Sequence, residues 1–83
     1  MKPRTETVPQ AAQVWIGEVA VAFAERQGDV AVFAVHGEDV EYHIVQAPLG
    51  TAVAAGPFRV TVTGFGFQHG RDFVRFTVTD EER

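Results

Sequence analysis

Residues 18–45, EVAVAFAERQGDVAVFAVHGEDVEYHIV, alternate apolar and other side chains through three runs separated by glycine-containing turns. A period of two sustained that long belongs to strands, so the stretch predicts an antiparallel three-stranded meander. Gly37 suits the first central position of a two-residue type II′ turn, which sets Val35 opposite Val40, Phe33 opposite Tyr42 and Ala31 opposite Ile44. Gly28 suits the left-handed position of a bulged three-residue loop, which sets Val21 opposite Phe33 and Val19 opposite Val35. In that register Val19, Val21, Phe23, Ala31, Phe33, Val35, Val40, Tyr42 and Ile44 share one apolar face, the expected core. A one-residue slip would bring Glu41 and His43 into it.

The opposite face is also largely apolar, with Ala20, Ala22, Ala24, Val30, Val32, Ala34 and Val45. Polar residues interrupt it at one end only: Glu18, His36, Asp39 and Glu41, with His43 beside Val32. A solvated sheet face would alternate to polar residues along its whole length. Two apolar faces, and strand edges left open on so small a sheet, call for a covering partner.

Elsewhere the chain continues the strand pattern. Residues 1–8 are polar and are expected to be a disordered tail, followed by a single β domain over 9–79 and a charged tail over 80–83. Thr7-Val8-Pro9-Gln10 resembles a helix capping box, and Trp15, Ile16, Val19 and Phe23 lie on one side of a helical wheel. Gly17 and the β-branched Val14, Ile16, Val19 and Val21 favour a strand from about Val14, kinked or bulged at Gly17. Residues 51–54 form a short strand or link. Residues 58–63 and 73–79 alternate cleanly as a second hairpin, in a register with Val62 opposite Val78 and Phe67 opposite Phe73. There Phe65, Phe67 and Phe73 emerge outward beside Arg75, unless a bulge at Gly64 or Gly66 turns the first two inward. About six short strands predict an all-β fold, a small antiparallel β-sandwich or partly open β-barrel.

At 83 residues there is room for one core. The chain has no cysteine, and its net charge of −4 disfavours nucleic acid as a partner. No signal-like or membrane-spanning apolar run is present, so a cytoplasmic setting is the expectation. Abundant Ala, Val, Gly and Arg resemble the usage of a GC-rich bacterial genome.

Three constellations carry the functional reading. In the expected register Glu18 lies opposite His36 and His36 opposite Asp39, with Glu41 and His43 on the same face. Carboxylates beside an imidazole orient and activate it for proton transfer, although the spacing is no metal motif. Phe65, Phe67 and Phe73 with Arg75, near Arg71 and His69, have the composition of an interface hot spot. Trp15 is a core lid or a partner contact, and Ala22 and Val32 mark the second apolar face.

Residues 50–56, GTAVAAG, followed by a valine-threonine strand, resemble the early strands of the carbon-storage regulator family of RNA-binding dimers. The resemblance covers under half of the chain, lacks that family's basic C-terminal region, and implies no function here. The expectation is therefore a non-catalytic interaction module, cofactor-free and metal-free, completed by homo-oligomerisation or a protein partner. The alternative is a β-barrel for a small apolar ligand, or a cofactor-free enzyme using Glu18, His36, Asp39, Glu41 and His43.

Overall fold

The computed structural model describes residues 2–80, which form eight strands: β1 (Arg4–Pro9), β2 (Gln13–Ile16), β3 (Val19–Gln27), β4 (Val30–Gly37), β5 (Val40–Pro48), β6 (Val53–Ala55), β7 (Phe58–Gln68) and β8 (Arg71–Asp80). They make two antiparallel sheets, β1-β8-β7-β6 and β2-β3-β4-β5, packed face to face. The all-β sandwich or partly open barrel is thus what the chain builds, with eight strands instead of about six. No helix among the described residues is long and apolar enough to cross a membrane.

Around the molecule the strands follow chain order, with β1 returning to pair with β8. Backbone hydrogen bonds stitch both sides where the sheets meet. Gln10 N–H donates to the Asp72 carbonyl and Ala11 N–H to the Phe23 carbonyl, each at 2.8 Å. On the other side Leu49 N–H donates to Asp29 at 2.8 Å and Gly50 N–H to Val62 at 2.9 Å. The open edges expected of so small a sheet are therefore partly closed within the chain.

The N-terminus departs from expectation. Residues 1–8 are expected to be a tail, yet Arg4–Pro9 is a strand that pairs along β8 and buries Val8 opposite Val74. Its alternation is disguised because the other core-facing positions are Arg4 and Glu6, whose side chains pair with each other at the rim. Gly17, at φ 63°, makes the β2–β3 turn instead of kinking one strand. Asp80 ends β8, and the remainder of the expected C-terminal tail lies outside the described residues.

Three bulges set the faces. In β3 the register shifts between Phe23 and Glu25, so Ala24 is extra; Val19, Val21 and Phe23 stay inward and Arg26 turns to the core side beyond it. The first hairpin pairs Val21 with Val35 and Phe23 with Phe33, two residues from the expected register, an even shift that preserves the faces. In β5, Glu41 and Tyr42 together oppose His36, between the Gly37–Val40 and Val35–His43 pairs. This odd shift inverts the rest of β5. Tyr42 and Ile44, expected in the core, are 66% and 51% exposed, while Val45 and Ala47 are buried in their place. The turn also moves: Gly37 pairs with Val40, and a Cβ at Gly37 would collide with the Glu18 carbonyl oxygen and lie 3.1 Å from Val19 Cα. Glycine is there for close approach, not for the turn.

Between the sheets a chain of rings fills the core. Phe33 lies 6.1 Å from Phe23 in its own sheet and 5.0 Å from Phe76 in the other, all three fully buried. Val21, Val35, Val60, Val62, Val74 and Val78 pack around them. Beside these rings β5 offers Val45 to Phe33 and Ala47 to Ala31. Small side chains fit there; the larger Tyr42 and Ile44 would overfill a core already spanned by three phenylalanines.

Candidate functional site

The outer face of β2-β3-β4-β5 is built by pairing. Trp15 lies opposite Ala20 and Ala20 opposite His36; Gln13, Ala22, Ala34 and Ile44 make the next row. The β5 bulge brings Tyr42 to His36, their rings stacked with centroids 6.4 Å apart. Trp15 meets the other side of His36 edge to face at 6.0 Å. Three rings thus cross the sheet above Ala20, which is fully buried beneath them. Ala22 and Ala34, half-buried, continue the floor, between Trp15 on one side and Tyr42 and Ile44 on the other.

This trough spans four strands, about 14 Å between its outer two at ordinary strand spacing. Trp15 is 52% exposed, and Trp15, Tyr42 and Ile44 are three of the five large hydrophobic residues most open to solvent among those described. The floor carries no charged side chain. Glu18, Glu38, Asp39 and Glu41 are exposed at one end, beside the turns. Large apolar groups around a floor of methyl groups can desolvate a flat partner, and aromatic anchors of this kind dominate interface energetics.

The proposed proton-transfer cluster is not assembled. His36 faces Ala20 and lies between two aromatic rings, where carboxylates were expected. His43 is on the opposite side of the sheet, paired with Val35 and with Nδ1 2.9 Å from the Glu41 carbonyl oxygen. No group of three or more His, Asp or Glu side chains among the described residues is placed to hold a metal ion. The two-residue shift of the β3–β4 hairpin puts Ala20 instead of Glu18 opposite His36, the moved turn takes Asp39 away from it, and the β5 bulge turns His43 to the other face.

The phenylalanine patch is also divided. A register shift between Val62 and Gly64 makes Thr63 extra and turns Phe65 inward opposite Val74, where it packs against the core. Arg26, swung inward by the β3 bulge, lies over that ring at 4.3 Å from its centroid. Phe67 follows on the same side but projects past the core and is 70% exposed. Phe73 faces outward opposite Gly66, with Arg75 on its own strand opposite Gly64. Of the other face markers, Ala22 is part of the trough floor and Val32 is nearly buried between Glu25 and Gln46.

Trp15, Ala22 and His36, singled out from the sequence for three different reasons, share this face with Tyr42 and Ile44, which were expected in the core. A second concavity, on the outer face of the other sheet, was not expected. A cleft of about 300 Å³ there is lined by Thr7, Pro9, Gln68, His69, Arg71 and Phe73. Half of that lining comes from the strand expected to be a tail or from the tip of the β7–β8 turn. Comparison with the models of known protein families, with curated proteins and with solved structures finds no match for this chain.

Proposed function

We propose that this chain is a non-catalytic interaction module that is completed by self-association through the outer face of β2-β3-β4-β5, or by a protein partner seated on that same face. One observation carries the reading: Trp15, Tyr42 and Ile44 stand exposed around an uncharged floor of alanines. The register that buries Val45 and Ala47 leaves Tyr42 and Ile44 in water, and covering them by association would gain at most about 1.5–3 kcal/mol per side chain by area reckoning. A typical interface takes about 800 Å² from each partner, roughly a sixth of the 4857 Å² surface of the described residues, so one face of the sandwich suffices.

Apolar faces of this kind are self-complementary about a two-fold axis, which makes a homodimer the simplest closed assembly. The acidic turns at one end and the chain's net charge of −4 oppose that association, so it should tighten as salt screens them. A cysteine-free chain suits a reducing, cytoplasmic setting, which this reading adopts.

The chain carries its own probe, since Trp15 is its one tryptophan. Fluorescence followed from nanomolar to high micromolar protein should shift to the blue and lose iodide quenching as the face is covered. Ala34→Arg, placing a charge on the floor, should hold the emission at its dilute value with the fold intact. Emission independent of concentration, or an Ala34→Arg variant that associates like the parent, contradicts self-association through this face.

A further inference from the structure

The cleft on the first sheet's outer face has a chemistry unlike the rest of the molecule. Its wall is Phe73, whose ring lies across the bare backbone of Gly66: a Cβ there would fall 2.6 Å from Cε1 and 2.8 Å from Cε2. Pro9 stands opposite Phe73 on β1. The polar lining is Thr7, Gln68, His69 and Arg71, all able to donate hydrogen bonds, and no carboxylate side chain contributes. In a chain of net charge −4 that is against the general trend. Arg71 is oriented by one bond, Nη2 donating to the Gln10 carbonyl at 2.6 Å, and a guanidinium has further N–H groups to offer another acceptor. A second arginine, Arg75, lines the adjoining hollow on the far side of Phe73.

The turn at the cleft's rim supplies one of its lining residues. His69 and Gly70 occupy the two central positions of the β7–β8 hairpin with φ of 55° and 76°. Histidine is among the non-glycine residues that adopt this left-handed conformation most readily, so the turn sets the His69 side chain at the cleft without unusual strain.

We propose that this cleft is a binding site for a small aromatic carboxylate. The ring stacks on Phe73 against Pro9, and the carboxylate takes further N–H groups of Arg71, with His69 and Gln68 at its edge. The cleft's volume lies at the lower end of the range for small-molecule sites, so it admits a single-ring ligand. Recognition is by charge-assisted hydrogen bonds at an open site, which implies weak binding, with half-saturation near about 1 mM for so small a ligand.

The test is titration of the ¹⁵N-labelled full chain with sodium benzoate, with benzyl alcohol as the neutral comparison, followed by amide shifts. Benzoate should give saturable shifts confined to Thr7 and residues 68–73, and benzyl alcohol should bind at least about fivefold more weakly. Arg71→Gln should weaken benzoate about tenfold. His69→Asn should weaken it about twofold to threefold while the melting temperature holds or rises. Equal binding of the two probes by the parent chain overturns the proposal, a comparison that needs no variant to fold. Shifts centred elsewhere, or an Arg71→Gln variant of parental stability and parental affinity, overturn it as well.

Discussion

Three strand glycines have three different surroundings, two with an obstacle and one without, and substituting each by alanine tests the packing through a single added methyl. At Gly37 that methyl would collide with the Glu18 carbonyl oxygen and sit 3.1 Å from Val19 Cα and 3.3 Å from the Glu18 carbonyl carbon. All of these are backbone atoms of the neighbouring turn and strand, so relief requires β3 and β4 to separate. At Gly66 the obstacle is the Phe73 ring, a side chain on the outer surface that can rotate away. At Gly64 nothing lies within 4 Å, and the backbone there is not left-handed. Overpacking costs about 1–3 kcal/mol and more where the backbone must move, so Gly37→Ala should lose about 3 kcal/mol and Gly66→Ala about 1 kcal/mol. Gly64→Ala should be neutral or gain about 0.5 kcal/mol through the unfolded chain. A domain of this size has roughly 4–12 kcal/mol in total, so the first variant should melt about 15–20 °C lower. Urea denaturation at a concentration low enough to keep the chain unassociated measures all three. Equal losses at the three positions, or a Gly37→Ala variant as stable as the parent, would refute the reasoning that places Gly37 for close approach.

Further outcomes follow from the bulges and the core. Tyr42→Ala should change the stability of the dilute chain by less than about 1 kcal/mol, whereas Val45→Ala should cost about 1–2 kcal/mol; the reverse order would restore the unbulged register of β5. Phe33→Ala, which removes the ring joining Phe23 to Phe76, should cost about 3–5 kcal/mol in urea and leave the chain unfolded or barely folded at 37 °C. Arg26→Gln should cost about 0.5–1 kcal/mol by loss of the guanidinium over Phe65, with Arg26→Lys recovering part of it in the same assay. Raising salt from 20 to 500 mM should tighten self-association, read as a lower midpoint in the tryptophan emission curve.

The strand character of residues 18–45, the inward set from Val19 to Val35 and the two-sheet architecture were legible because period-two alternation fixes the class and one face of each strand. The β7 bulge was marked by its glycines and falls beside Gly64, one of the two positions where it was expected; the bulges in β3 and β5 were hidden. Ala24 is an ordinary strand residue, and Glu41-Tyr42 reads as plain alternation. The bulge in β5 matters most, because VEYHIVQAP can turn either Tyr42 and Ile44 or Val45 and Ala47 inward, and only the space left beside Phe33 decides between them. The same bulge brought Tyr42 to His36 and turned His43 away, while the two-residue shift of the β3–β4 hairpin replaced Glu18 by Ala20 opposite His36 and so aligned Trp15 with it. Strand β1 was illegible for another reason. Its inward positions at Arg4 and Glu6 satisfy each other as an ion pair at the rim, so alternation there is of exposure and not of hydrophobicity. The cleft, built partly on that strand, was hidden with it.

The central claim is that the face holding Trp15, Tyr42 and Ile44 is covered by a second copy of the chain. Molar mass by light scattering, taken across about a hundredfold range of concentration, tests it most directly. The mass should be twice that of the 9.1 kDa chain at the upper end of the range, falling toward a single chain on dilution or in Ala34→Arg. A single-chain mass at every concentration contradicts self-association.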